Sequence, residues 1–279
     1  MHKLIAVTVL ALLPSLVAGD GQTFGRMRQI AVASAACTAP SATSFTSRWW
    51  ADNTANQCGT GKTACATGNT SVYQATDGLS TNQMQNGTTA DQPIWTPSAV
   101  NGHAAFNFNG TTMAFAATGN DGPTYTVAAT FEVLAAPSSA YGNVLDISNG
   151  YGSPSNVGVL SSSGVLHPVI FAPGLSTILA GSKTLALNTW YTIVYTLNYA
   201  AGSPYPIDIY ECSGGSCTLD IASTTTATWA SSSEYMGTQG GYALMQENIA
   251  EVDILSGSVL TLTQLSSVVG AWSSCQYGV

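Results

Sequence analysis

The sequence predicts an all-β protein, a sandwich or barrel of short strands followed by one C-terminal helix, and three features of the chain support this fold class. Apolar and polar residues alternate in several stretches, which is the pattern of half-buried strands. Clusters of Gly, Pro, Asn and Ser separate these stretches, as turns separate strands. Helical spacing of apolar residues occurs in one segment near the C-terminus. Many short strands with one terminal helix are typical of a sandwich or a barrel.

The strand pattern is clearest in residues 125–133. The odd-numbered positions there, from Tyr125 to Val133, are apolar, whereas the opposite face includes Thr126 and Glu132. This period of two predicts a strand with one buried face. The same criteria predict further strands at 104–108, 142–147, 157–160, 165–171, 190–199, 207–212, 218–222 and 249–255.

Two Asn-Gly pairs flank the strand predicted at 104–108. Asn101-Gly102 precedes it and Asn109-Gly110 follows it, and Asn-Gly is the strongest short-range signal for a tight hairpin turn. Between them, Phe106 is expected to point into the core.

The predicted helix begins near the C-terminus. Thr261 or Thr263 can act as its N-cap. Leu265, Val269 and Trp272 then recur at helical spacing.

The composition restricts the classes of function. Charged residues make up 7% of the 279, against about 25% in typical soluble domains, and 31 Ser and 34 Thr supply much of the polar surface instead. Six basic and 14 acidic residues give a formal net charge of −8, which argues against nucleic-acid binding. The many apolar and β-branched residues argue against intrinsic disorder.

The N-terminus has the features of a secretory signal. Lys3 precedes an apolar run at 4–18, and small residues end at Gly19. The run is too short to span a membrane, and no later segment is long enough either. We therefore expect a signal peptide at 1–19, a pre-domain segment at 20–36 and one β domain at 37–279, with a secreted, periplasmic or cell-surface location.

An exported protein with six cysteines is expected to form disulfides, although six cysteines permit 15 pairings. The spacing favours short closures around Gly-containing loops, and elimination leaves a third pair that joins the domain ends. Zinc ligation is the alternative, but the spacings do not match a zinc ribbon. The favoured pairs are Cys212–Cys217, Cys58–Cys65 and Cys37–Cys275.

Three segments resemble the concanavalin A-like superfamily, in particular its laminin G-like jelly-roll domains. Residues 90–115 (ADQPIWTPSAVNGHAAFNFNGTTMAF) resemble the entry strands, and 187–215, with LNTWYTIVYTLN and IDIYECSGG, resemble the Trp-Tyr strand and its hairpin. Residues 247–272 resemble the closing strand and short helix. The resemblance implies a two-sheet antiparallel jelly-roll sandwich with one short C-terminal helix, used for carbohydrate binding, as in a lectin, or for surface recognition and adhesion. Fold alone does not fix function.

The same superfamily includes retaining glucanases, which place Glu-x-Asp-x-(x)-Glu on one strand. Here Glu251 and Asp253 match the first two carboxylates, but Ser256 stands where the second Glu is required. A hydroxyl cannot replace a carboxylic acid as proton donor. The sequence therefore favours a non-catalytic module. The alternative is a glucanase-like hydrolase with Glu251 as nucleophile, Asp253 assisting and Glu247 as acid.

Aromatic residues beside small polar residues are candidates for carbohydrate binding, because neutral sugars stack on ring faces and bond to amides and hydroxyls. In Trp49-Trp50, strand alternation sends one ring inward and the other outward. The structural alternative is that these rings cover the ends of the core. The candidate binding residues are Tyr141, Tyr151, Tyr235, Tyr242 and Trp50.

Other site chemistry has weaker support. No cofactor is expected, although Asp146 with Asn149, or alternatively Asp91, are candidates for calcium ligands. His103 and His167 have no neighbouring partner that indicates a catalytic triad, and the sequence contains none of the common nucleotide or hydrolase motifs. A third class of function is a structural appendage or particle-surface protein that packs against its own copies. Sequons begin at Asn69, Asn86 and Asn109.

Overall fold

Antiparallel pairing organises the part of the chain that the structure describes. The structure is a computed structural model and describes residues 37–41, 43–65, 70–117, 124–147, 156–172, 176–227, 234–237 and 245–279. Within these ranges lie eighteen strands. They are β1 (Ser47–Trp50), β2 (Gln57–Cys58), β3 (Thr63–Ala64), β4 (Thr70–Thr76), β5 (Gln83–Gln85), β6 (Ile94–Val100), β7 (His103–Asn109), β8 (Ala114–Ala117), β9 (Tyr125–Ala135), β10 (Tyr141–Asp146), β11 (Asn156–Ser162), β12 (Val165–Ala172), β13 (Ser176–Ala180), β14 (Trp190–Leu197), β15 (Tyr205–Ser213), β16 (Ser216–Thr225), β17 (Glu234–Gly237) and β18 (Gln246–Ser256).

The strands form one connected, nearly closed sheet with two arms. One arm runs through β16, β15, β14, β9, β18, β7 and β6, and the other through β13, β12, β11, β10, β17, β8, β5 and β4. Strand β4 joins the arms, because it pairs with β6 as well as with β5. The all-β prediction is confirmed. The finer prediction of two separate jelly-roll sheets is not established, because this strand makes the sheet continuous.

Strand β18 is central to the first arm. Its whole length pairs with β9 on one side. On its other side it pairs with β1, where Ser47 lies opposite Ile254, and then with β7, where Asn109 lies opposite Gln246. The N-terminal and C-terminal parts of the domain therefore meet along one strand.

The predicted alternation places apolar side chains in the core between the arms. Phe131 in β9 and Ile193 in β14 are completely buried in the main core. Tyr195 crosses the core, and its hydroxyl donates to the carbonyl of Gly158 in β11 at 3.0 Å. Burial of each large side chain contributes about 1.5–3 kcal/mol relative to exposure.

The two Asn-Gly pairs have different roles. Asn101 and Gly102 have φ of 46° and 84° and form the two-residue turn between β6 and β7, as predicted. Asn109-Gly110 is not a hairpin turn, because β8 pairs with β5 and β17 rather than with β7. Instead, the Asn109 side-chain oxygen accepts from the backbone N–H groups of residues 111, 112 and 113.

Several strand boundaries differ from the sequence predictions. The strand predicted at 190–199 ends at Leu197, because Asn198 caps a 3₁₀ turn at Tyr199–Ala201 by accepting from the Ala201 N–H. Sequence patterns missed β2 to β5, β8, β13 and β17, and they indicated β1 and β6 without giving their bounds. Most of these strands are short, and Ala114–Ala117, for example, shows no alternation of apolar and polar residues.

The C-terminal helix agrees with its predicted start. Thr261 is the N-cap and forms a capping box with Gln264. Helix α1 (Leu262–Leu265) continues without a break through a π-helical turn (Ser266–Gly270) into α2 (Ala271–Tyr277). None of the described helices is long and apolar enough to cross a membrane.

Three disulfides brace the domain. They join the pairs that the cysteine spacing favoured, and Cys212 and Cys217 face each other across the β15–β16 hairpin. Cys37–Cys275 links the start of the domain to α2. Three disulfides indicate an oxidising, extracellular environment.

We expect removal of Cys37–Cys275 to destabilise the protein more than removal of Cys212–Cys217. The pairs are separated by 238 and 5 residues, so the chain-entropy model gives about 5 and about 2 kcal/mol respectively. Denaturant unfolding of the two double Cys→Ser variants measures the difference. Equal losses of unfolding free energy would contradict a chain-entropy effect.

Candidate functional site

The carboxylates proposed for hydrolysis lie at the β1–β18 pairing. Arg48 is opposite Asp253 and Trp50 is opposite Glu251, so these side chains share a face. The Arg48 guanidinium forms an ion pair with Glu251, and its Nε lies 3.5 Å from Asp253 Oδ1. Arg48 and Glu251 are only 4% and 2% exposed, so a substrate has no access to this pair.

The C-terminal helix completes the surroundings of Glu251. Its Oε2 accepts from Trp272 Nε1 at 2.7 Å and from the Tyr277 hydroxyl at 2.5 Å. The Arg48 guanidinium lies 4.3 Å from the Trp50 ring centre and 4.6 Å from that of Trp272. We call this set the Arg48 cluster; it consists of Arg48, Trp50, Glu251, Asp253, Trp272 and Tyr277.

Burial and charge set the protonation of the Arg48 cluster. Burial, the negative charge of Glu251 and a hydrogen bond with Glu251 raise the pKa of Asp253 well above its usual range, although Arg48 opposes this. Burial alone would lower the pKa of Arg48, but Glu251 and Asp253 raise it. Burial raises the pKa of Tyr277, and the negative charge of Glu251 raises it further. The cluster therefore keeps Arg48 charged and attaches the helix to the sheet.

The third hydrolysis candidate, Glu247, lies on the other face of β18. Its cross-strand neighbours Phe108 and Val133 belong to the main core. A bulge between Ile249 and Glu251 interrupts the alternation, so Glu251 faces the helix while Glu247 faces the core. The proposed acid and nucleophile are thus on opposite sides of the sheet.

Glu247 is a buried carboxyl group without a hydrogen-bond partner in the part of the chain that the structure describes. It is completely buried, and neither side-chain oxygen has a hydrogen bond within the described chain. Burial raises its pKa well above the usual range. Burial also raises the pKa of Tyr195, and the negative charge of Glu247 raises it further. Glu247 therefore favours its neutral form in the folded protein.

The structure assigns different surroundings to the predicted binding residues. Trp50 is part of the Arg48 cluster. Tyr141 is largely buried, stacks on Phe171 at 5.0 Å and places its hydroxyl 2.6 Å from Thr177 Oγ1. Tyr235 is partly exposed and lines a groove. Tyr151, Tyr242 and Asn149 lie outside the described residues.

The groove beside Tyr235 lies on the outer face of β5, β8 and β17. Its floor is formed by three residues on neighbouring strands: Ala116 lies opposite Gln85 on one side and opposite Tyr235 on the other. The groove has a volume of about 510 Å³. We call it the Tyr235 groove; its lining is Gln85, Asn86, Gly87, Asp91, Thr111, Thr112, Ala114, Phe115, Ala116 and Tyr235.

Hydrogen bonds fix one wall of the Tyr235 groove. The Asn86 side-chain amide donates to the carbonyls of Asp91 and Ala114 at 3.0 and 2.9 Å. Gln92 Nε2 donates to the Asn86 carbonyl at 2.8 Å. The wall is therefore preorganised for contact with a ligand. Asn86 also begins a sequon, and an attached glycan would remove one of these hydrogen bonds.

Sequence analysis identified Tyr235 as a candidate binding residue but did not place the other residues of the groove beside it. Gln85, Asp91 and Thr111 come from separate segments, and no spacing along the chain relates them. The weak calcium candidate Asp146 is the cross-strand partner of Tyr235 and is completely buried. Within the described ranges, no group of three or more His, Cys, Asp or Glu side chains could hold a metal.

Comparison with known proteins identifies similar folds without a family. No protein-family model and no curated protein matches the chain. A GH54 α-L-arabinofuranosidase soaked with a cyclic sulfate inhibitor has a TM-score of 0.59 at 12% identity, over 84% of this chain and 63% of that one. A mutant GH54 α-L-arabinofuranosidase, soaked with 4-nitrophenyl α-L-arabinofuranoside, has a TM-score of 0.56 at 13% identity, over 86% and 63%.

A more distant likeness involves a sialidase. Trypanosoma rangeli sialidase has a TM-score of 0.45 at 12% identity, over 83% of this chain and 33% of that one. This chain thus spans less than two thirds of each of these structures. At these identities the arabinofuranosidase comparison supports a shared β-rich fold, and function has to be argued from the residues of this chain.

We expect Arg48→Met to destabilise the protein by about 3–5 kcal/mol, because it leaves buried carboxylates without their counter-charge. Lys183→Met is the control. Lys183 pairs with Glu211 at 2.6 Å, but both side chains are partly exposed, so its loss should cost about 0–1 kcal/mol. Urea unfolding at neutral pH measures both variants. Similar small losses would show that the Arg48 cluster does not hold the fold together.

We expect Glu247→Gln to have a higher free energy of unfolding than the wild type. This difference should grow as the pH rises above about 4.5, the ordinary pKa of a glutamate carboxyl group. With the folded pKa raised, folded Glu247 keeps a proton that the unfolded chain has released, so wild-type stability falls with rising pH through this window. Glutamine does not titrate. Urea unfolding of both proteins between about pH 4 and pH 7 measures the effect, and a pH-independent difference would contradict it.

Proposed function

We propose that the protein is an exported, non-catalytic carbohydrate-binding module that holds a glycan in the Tyr235 groove. The observation that supports this most is the groove itself, where an accessible tyrosine lies among amides and hydroxyls on a preorganised sheet face. Neutral sugars are bound by such surfaces, through stacking on aromatic rings and hydrogen bonds to uncharged groups. The volume of about 510 Å³ lies within the range of small-molecule sites.

The positions of the carboxylates favour binding over hydrolysis. A glycosidase needs two carboxyl groups that flank the scissile bond in a site open to sugar and water. Glu251 is buried and already accepts hydrogen bonds from Trp272 and Tyr277. Glu247 faces the core on the other side of the strand. A glucanase-like mechanism that uses these residues would therefore require the Arg48 cluster to open.

The location and the finer fold are parts of the same proposal. The apolar N-terminus supports cleavage of a signal peptide at 1–19, followed by a segment at 20–36 and the binding domain at 37–279. We assign the domain to the concanavalin A-like superfamily, with a laminin G-like jelly-roll arrangement. Support comes from the three sequence segments that resemble this superfamily and from the all-β, antiparallel pairing.

We expect Tyr235→Ala to weaken glycan binding at least about tenfold, because truncation of an aromatic ring in a binding site removes a large share of the binding energy. A glycan array with the mature domain identifies the ligand, and titration calorimetry then measures both proteins. Tyr205→Ala is the matched control, because Tyr205 stacks on Tyr199 on the other arm of the sheet. An empty array, or equal losses in both variants, would refute binding in the Tyr235 groove.

A reducing-sugar assay on the bound glycans separates binding from hydrolysis. The wild-type domain is expected to bind without releasing sugar. Release by the wild type would instead favour the hydrolase.

A further inference from the structure

The β domain has almost no basic side chains, and those it has are already engaged. Residues 37–279 contain three, Arg48, Lys62 and Lys183, against thirteen acidic ones. Arg48 is buried in its cluster. Lys62 Nζ lies 4.0 Å from the Tyr73 ring centre, and Lys183 Nζ lies 2.6 Å from Glu211. None of the three lines the Tyr235 groove.

The histidines of the domain are engaged as well. His103 Nδ1 lies 2.5 Å from Asp52 Oδ2, and His167 Nδ1 lies 3.0 Å from the Lys183 carbonyl. An acidic glycan, such as one that contains uronic or sialic acid, would therefore find no cationic partner among the described groove residues. Its desolvated carboxylates would remain uncompensated.

Asp91 is the charged group that the Tyr235 groove presents. It is partly exposed at the groove wall, and its carboxylate has no hydrogen bond or ion pair within the described chain. The other described acidic residues either have partners or, like Glu247, are completely buried. The backbone of Asp91 is held in place, because its carbonyl accepts from Asn86. An unpaired carboxylate that lines the same groove as a partly exposed tyrosine matches a ligand that has both a cation and a sugar face.

We propose that the Tyr235 groove selects glycans with a free amine, such as glucosamine oligomers, and rejects acidic glycans. The ammonium group would pair with Asp91 while the sugar ring stacks on Tyr235. This selectivity rests on the proposed carbohydrate binding. The excess of ten acidic residues over basic ones in 37–279 also attracts cationic chains to the domain at low ionic strength.

The test compares three hexasaccharides by titration calorimetry at low salt and mildly acidic pH, where the sugar amine is protonated. They are glucosamine, N-acetylglucosamine and galacturonate hexamers. The expected order of affinity is glucosamine, then N-acetylglucosamine, with no binding of galacturonate. The preference for the free amine should be about two- to fivefold for a single exposed ion pair and should disappear at high salt.

Two variants separate a local contact from the overall charge of the domain. Asp91→Asn is expected to abolish the preference for glucosamine without weakening the binding of N-acetylglucosamine. Glu211→Gln also removes one acidic side chain, on the other arm of the sheet, and should preserve the preference. Thermal melts establish that both variants are folded.

The outcomes distinguish this inference from the proposed function. Equal binding of the two amino-sugar hexamers, binding of galacturonate, or a preference that persists in Asp91→Asn would overturn the amine selectivity. If glucosamine does not bind, the selectivity is also overturned. Carbohydrate binding itself fails if the glycan array shows no ligand, and its location in the Tyr235 groove fails if Tyr235→Ala weakens binding of the ligand found no more than Tyr205→Ala does.

Discussion

The pairing of β1 with β18 is the constraint on which the other assignments depend. It brings Arg48 from the start of the domain against Glu251 and Asp253 from its end, and the C-terminal helix then contacts Arg48 and Glu251. A buried ion pair adds little net stability compared with apolar packing, but leaving one partner unpaired is costly. The Arg48 cluster therefore specifies where the helix and the two ends of the domain at 37–279 lie. Because Glu251 and Asp253 are buried against Arg48 there, sugar chemistry at these carboxylates would require the cluster to open.

Sequence patterns predicted the features that depend on local order along the chain. Alternation located β9, the Asn101-Gly102 turn follows from backbone conformation, and Thr261 was one of the two threonines predicted to start the helix. Cysteine spacing indicated the same three pairs that the structure contains. All of these features except Cys37–Cys275 depend on neighbouring residues or on short loops, and Cys37–Cys275 followed by elimination once the two short pairs were assigned.

Long-range pairing was not accessible in the same way. The bulge before Glu251 places this residue on the opposite face from Glu247 although both have odd numbers, and no local signal indicates the bulge. Arg48 is 203 positions away from Glu251, so their contact could not be inferred without the sheet. The Tyr235 groove likewise combines separate segments of the chain. Among its residues, only Tyr235, an aromatic residue beside small polar residues, suggested sugar binding from the sequence. A surface rich in hydroxyls and poor in charge is consistent with a neutral or cationic glycan as partner.

The most direct test of the central claim, that the Arg48 cluster is structural and the Tyr235 groove is the binding surface, is to locate a bound glycan by NMR. Titration of the labelled domain should shift the amide signals of Gln85, Ala116 and Tyr235. It should leave the Trp272 indole N–H, which donates to Glu251, unchanged. Shifts centred on Trp272 and the amides around Glu251, with none at the groove, would contradict both assignments.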